Sequence, residues 1–180
     1  MPEGIKPIGD ALVDDQIKRL GTVLDEEYDE AWLAPGEYLG TATAVAVGGG
    51  RDLDFADGST QRAMWVIRVN DEWLNHYCTA TVYYTSSTGG TATFDLLLDT
   101  WTFTGTDNLN TGGTRVSTLA WSAAGPGVAY DLLSASQTIS QAAISSDAVF
   151  LNLRLSRDGA ADTNNNALIV AGIKLEFYRA

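Results

Sequence analysis

Hydrophobic and polar positions alternate most regularly near the end of this 180-residue chain. Ala148 to Ser156 reads AVFLNLRLS, and Ala167 to Tyr178 reads ALIVAGIKLEFY. In the first segment Val149, Leu151, Leu153 and Leu155 share one face, opposite Asn152 and Arg154. In the second, Ile169, Ala171, Ile173, Leu175 and Phe177 share one face, opposite Lys174, Glu176 and Tyr178. A period of two specifies a strand with one buried face. The RDGAADTNNN stretch between them holds no apolar residue larger than Ala. The two segments are therefore expected to form a long antiparallel closing pair, with Leu153, Leu155, Ile173 and Leu175 buried.

The middle of the chain reads as further strands and turns. Tyr38 to Val47 alternates loosely and stops at Gly48-Gly49-Gly50. Trp65, Ile67 and Val69 alternate against Met64, Val66 and Arg68, which places Trp65 in the core. Tyr77 to Thr85, YCTATVYYT, is rich in β-branched and aromatic residues. Gly89-Gly90 predicts a turn, with Thr91 to Leu98 returning as the second arm of a hairpin and Trp101 to Thr104 following. Asp107 to Gly113 reads as a loop, Arg115 to Trp121 as a strand, and Gln137 to Ile139 as a short one. The sum is about eight strands at the spacing of an antiparallel β-sandwich.

The start of the chain follows a different period. Val13, Ile17, Leu20 and Leu24 sit at helical spacing, Asp10 can cap, and Asp14–Lys18 and Asp15–Arg19 are favourable i,i+4 pairs. A helix over about 11–24 is expected, weakened by Gly21. Its stripe of Ile17, Leu20 and Leu24 either packs on its own sandwich or docks on a neighbouring subunit. DEEYDE at 25–30 puts five carboxylates in six positions and reads as a solvated linker. Pro35-Gly36 ends the extension, which divides the chain into an arm at 1–35 and a β-sandwich domain at 36–180.

Charge narrows the function classes. The formal net charge is −12 and only 19% of residues are charged. Clustered Lys and Arg of the kind that hold nucleic-acid phosphates are missing from the pattern, and an anionic membrane would not attract such a chain. One cysteine, Cys78, allows no internal disulfide. No apolar run reaches the length of a membrane span and no signal peptide opens the sequence, so synthesis in a reducing host cytoplasm is expected.

Candidate chemistry is sparse. His76 is the single histidine and stands two residues from Cys78, with no orienting or oxyanion motif nearby. Asp52, Asp54 and Asp57-Gly58 are spaced wrongly for a calcium loop. Asp158, Asp162, Asn164, Asn165 and Asn166 offer hard oxygens but are also ordinary turn residues. Asp95 and Asp99 lie in or at the end of one strand and could flank a glycosidic bond only with partners that the sequence does not identify. No catalytic, cofactor or metal site is expected, and the chain does not read as an enzyme. Among the five tryptophans, Trp73 and Trp101 are the candidates for stacking on a sugar.

The closing segment, LNLRLSRDGAADTNNNALIVAGIKLEFY, resembles the closing hairpin of jelly-roll-like β-sandwich virion proteins of tailed bacteriophages. Arg157-Asp158, Asp162, Ala171-Gly172-Ile173 and Glu176-Phe177-Tyr178 carry the resemblance, with Trp65, Arg68 and Tyr83-Tyr84 similar to earlier strands. That family comprises capsid decoration (cement) proteins, head fibres and tail-fibre modules. The resemblance implies an all-β jelly-roll-like sandwich, a homotrimer, and a place on the capsid exterior with the major capsid protein as partner. A decoration protein that stabilises the shell is the first expectation. The alternative is a head-fibre or tail-fibre module that binds a host surface glycan through Trp73 and Trp101.

Overall fold

The computed structural model describes residues 29–35, 39–47, 50–69, 77–107, 113–139, 144, 146–160 and 162–178. The expected helix with Ile17, Leu20 and Leu24 lies outside them, as do Trp73 and His76. Among the described residues there are eleven strands: β1 (Asp29–Leu33), β2 (Leu39–Gly40), β3 (Thr43–Val47), β4 (Gly50–Phe55), β5 (Thr60–Arg68), β6 (Tyr77–Thr85), β7 (Thr93–Thr104), β8 (Thr114–Ala124), β9 (Leu133–Ile139), β10 (Ala148–Asp158) and β11 (Leu168–Tyr178). They form two antiparallel sheets. One has the order β3-β4-β11-β6-β9, with β1 also on β11; the other has the order β2-β5-β10-β7-β8. Strands β4 to β11 thus run 4-11-6-9 and 5-10-7-8, the order of a jelly roll. The expected all-β sandwich is what the chain forms.

Two expected hairpins are not hairpins. β10 pairs with β5 and β7, whereas β11 pairs with β4, β6 and β1. β6 and β7 likewise lie in opposite sheets. Alternation reports that one face of a strand is buried; it does not report which strand lies beside it. Two strands facing each other across a layer about 10 Å thick bury the same residues as two strands side by side. The burial itself follows the sequence: Leu151, Leu153, Leu155, Ile173 and Leu175 are all fully buried. Val149 departs because the β10–β7 register shifts between Ala148 and Phe150, and it is exposed. Ala171 departs because β11 bulges between Val170 and Gly172, so Val170, Ile173, Leu175 and Phe177 carry the core face instead.

The acidic linker reading also changes. Asp29 and Glu30 open β1, which pairs with Phe177 to Ile173 of β11. Ala31 and Leu33 point inward opposite Leu175 and Ile173, while Glu30 and Trp32 point outward. Asp52 and Asp54 lie on β4 with Leu53 and Phe55 as the core face, so the calcium-like spacing is a strand and not a loop.

A buried arginine sits at one end of the core. Arg157, at the end of β10 on the face of Leu153 and Leu155, is fully buried. Its guanidinium donates to the carbonyls of Phe55 and Asn166, each at 2.7 Å, and to that of Asn164. Its Nε donates to Asp162 Oδ2 at 2.7 Å, and its planar group stacks 4.9 Å from the Phe94 ring centre. Asp162 in turn accepts from the Asn164 N–H, and buried Asn164 donates to the Ala92 carbonyl. The Asp- and Asn-rich loop is therefore organised around an arginine.

Two substitutions test this core. Leu153→Ala or Leu175→Ala is expected to cost about 2–5 kcal/mol in urea unfolding. Arg157→Met leaves the Asp162 carboxylate buried and unpaired, and should cost about 3–5 kcal/mol.

Candidate functional site

Each sheet turns one face to the core and one outward, and the two outer faces differ in chemistry. On the six-stranded sheet, Trp32 of β1 stands opposite Lys174 of β11. Lys174 is paired with Thr81 of β6, and Gly172 with Tyr83. Because Gly172 has no side chain, the Trp32 indole lies across it: a Cβ there would be 2.6 Å from Trp32 Cζ2. The indole meets the Tyr83 ring at 5.4 Å between centres, tilted by 41°. Trp32 nevertheless remains 55% exposed.

Polar side chains surround this aromatic pair. Lys174 Nζ donates to Glu176 Oε1 at 2.8 Å and lies 4.0 Å from Glu30 Oε2. The Glu176 hydrogen bond holds the Lys174 ammonium above the usual lysine pKa. The Thr81 and Ser136 hydroxyls share a hydrogen bond at 2.9 Å, and Ser134 and Thr138 continue the hydroxyl row on β9. Asp52 and Asp54 lie on the same face, and burial raises the pKa of both. An exposed indole beside a phenol, ringed by hydroxyls and charges, can stack on the apolar face of a pyranose while the ring of polar groups takes its hydroxyls.

The five-stranded sheet presents a grid of a different kind. Across it run Arg62–Ser156–Leu97–Ala120, then Met64–Arg154–Asp99–Thr118, then Val66–Asn152–Trp101–Arg115, then Arg68–Phe150–Phe103. Asp99 is fully buried and held by ion pairs to Arg115 and Arg154 and by the Thr118 hydroxyl at 2.9 Å. Burial pushes its pKa up, but the hydrogen bonds from Arg154, Arg115 and Thr118 outweigh this and hold it below the ordinary aspartate value. The two guanidinium carbons lie 4.7 Å (Arg154) and 5.8 Å (Arg115) from the Trp101 ring centre. Beside Trp101, Met64, Val66, Phe103, Phe150 and Asn152 line a groove of about 260 Å³. Asn152 Oδ1 is buried there with no hydrogen-bond partner among the described residues.

Of the two expected sugar-stacking tryptophans, Trp101 is thus half-buried and braced by arginines, and Trp73 lies outside the described residues. Trp32 was missed because the acidic run before it reads as linker. The available signals were the Glu30–Trp32 alternation against Ala31 and Leu33, and a glycine inside the β11 strand, which marks close approach of another group. Asp95 and Asp99 do not form a catalytic pair. Four positions apart on one strand, their backbones are separated by roughly 13 Å, against about 5–9.5 Å for paired-carboxylate glycosidases. Asp95 instead accepts from the Ser122 hydroxyl at 2.6 Å. Burial pushes the Cys78 thiol up to about 12, which removes it as a nucleophile at neutral pH. No metal-binding group of three or more His, Cys, Asp or Glu exists among the described residues.

No protein-family model matches the sequence, and no curated protein does. Solved structures do share the architecture. A CBM35 from Cellvibrio japonicus Abf62 superposes with a TM-score of 0.54 at 13% identity, covering 82% of this chain and 92% of that one. A family 35 carbohydrate binding module from Clostridium thermocellum gives 0.54 at 9% identity, covering 82% and 97%. The C-terminal CBM6 of a laminarinase from Zobellia galactanivorans gives 0.51 at 13% identity, covering 82% and 99%. The likeness is one of fold.

Two measurements test the geometry. Gly172→Ala should displace the Trp32 ring, shift its fluorescence, and cost about 1–3 kcal/mol through overpacking. Asp99 has a depressed folded pKa, so its ion pairs stabilise the fold above the unfolded-state aspartate pKa and stop doing so as pH falls through the folded value. Asp99→Asn should therefore be clearly less stable than wild type at pH 7. That difference should shrink in acid, below the ordinary aspartate range.

Proposed function

We propose that this chain is a non-catalytic carbohydrate-binding β-sandwich that recognises a neutral polysaccharide on the outer face of its six-stranded sheet. The observation that carries the reading is Trp32: a large indole left 55% exposed, seated over Gly172 and cornered by Tyr83. A soluble fold gains nothing by exposing it, and a sugar ring covers it at little ordering cost because the indole is already fixed in place. Lys174, Glu176, Thr81 and Ser136 supply donors and acceptors around it. The shared fold with carbohydrate-binding modules supports the reading.

The reading favours one branch of the virion expectation over the other. A head-fibre or tail-fibre module that grips a host glycan has a use for such a platform, whereas capsid decoration asks nothing of it. The closing strands on which that resemblance rests lie in opposite sheets and form no hairpin. The homotrimer and the capsid partner are proposals that rest on that resemblance alone.

Isothermal titration against a panel of neutral oligosaccharides tests the proposal. Trp32→Ala should weaken binding about tenfold or more, the size of a lost aromatic stack, while leaving the unfolding midpoint near that of wild type. Tyr83→Ala should weaken it less. Binding that survives Trp32→Ala unchanged would remove the platform from the mechanism.

A further inference from the structure

We propose that the outer face of the five-stranded sheet is a second, separate binding site, for a carboxylate-bearing saccharide such as a polyuronate. The charge pattern carries the argument. The chain has a formal net charge of −12 and 11 basic residues in all. Four of those, Arg62, Arg68, Arg115 and Arg154, stand on this one face. Over the same rows of the sheet they meet a single carboxylate, that of Asp99. The opposite face carries Glu30, Glu176, Asp52 and Asp54 against Lys174. The next row of the same face carries Asp158 and Asp95, so the arginine surface is confined to the rows from Arg62 to Arg68. At physiological ionic strength, charges farther than about 8 Å are largely screened, so a ligand on this face meets the arginines and not the net charge.

The chemistry of the arginines fits a carboxylate. Arg115 and Arg154 already hold one, since both bind Asp99. Arg115 uses one nitrogen for that contact and its side chain is 49% exposed. Arg68, at the other side of the grid, is exposed. Between them lies the apolar groove. An apolar surface and flanking guanidinium groups together match a sugar ring that carries a carboxylate.

The test uses the full chain in calorimetry with three probes of equal length: a galacturonate oligomer, a neutral glucose oligomer and a sulfated glucose oligomer. The expected result is binding of the galacturonate oligomer that weakens as salt rises. Arg68→Glu should weaken it about tenfold or more, the loss of one charge-assisted hydrogen bond. Arg115→Ala should act in the same direction. Trp32→Ala should leave uronate binding unchanged, which separates this site from the neutral-sugar platform. Arg68 is exposed, so Arg68→Glu keeps the test valid even if Arg115→Ala destabilises the fold. Three outcomes overturn the proposal. They are equal binding of uronate and neutral oligomers, binding of the sulfated probe alone, and self-association abolished by Arg68→Glu with no uronate binding, which would assign the face to a second copy.

Discussion

A guanidinium buried at one end of the sandwich is the constraint on which the rest of this structure depends. Arg157 binds the last carbonyl of β4, two carbonyls of the loop before β11, and the Asp162 carboxylate, which also accepts from the Asp95 N–H of β7 at 3.4 Å. One side chain thereby joins both sheets and two connections. Burying a charge is costly unless it is paired and hydrogen-bonded on all sides. The connection between β10 and β11 meets that requirement with the Asp162 carboxylate and the Asn164 and Asn166 carbonyls, while Asn165 stays exposed. Because β11 starts from this loop, the fixed position of Arg157 also sets where β11 enters its sheet, and through it the placement of Gly172 and Trp32.

The sequence made the burial of strands legible but not their neighbours. Leu153, Leu155, Ile173 and Leu175 alternate cleanly and are all in the core. Yet β10 and β11 face each other across the core instead of pairing, because alternation carries no information on which side a partner lies. The limits of β6 were plain from YCTATVYYT, whereas β1 was hidden by its acidic flank and β4 by the resemblance of DLDF to a metal loop. The two outer faces were illegible for a different reason. They are assembled from strands far apart in the chain, so the four-arginine face and the Trp32–Tyr83 corner exist only once the register is known. Trp101 showed the opposite problem: its residue type suggested exposure, but its cross-strand neighbour is Arg115, and Asp99, two positions before it on the same face of β7, is buried.

The outer faces also explain how so acidic a chain remains well folded. Carboxyl groups are spread over one face, where Lys174 bridges Glu30 and Glu176. On the other face the arginines have aromatic and carboxylate partners: Arg154 and Arg115 lie on Trp101 and both bind Asp99. Lys174, Arg115 and Arg154 thus each have a carboxylate beside them.

The connections between strands have a consequence for how the protein reaches this state. Only β3 with β4 and β7 with β8 are chain neighbours that pair. β1 pairs with β11, β5 with β10, and β6 with both β11 and β9. Few hairpins can therefore form early and hold while the rest of the chain searches. Most pairings close long loops first, at an entropic cost that later contacts must repay, so folding belongs in the slow range of milliseconds to seconds. β11 receives β1, β4 and β6, so the six-stranded sheet closes only when this strand is in place. The seat of Trp32 therefore depends on β11, whereas the arginine face is carried by β5, β7, β8 and β10 and does not need it.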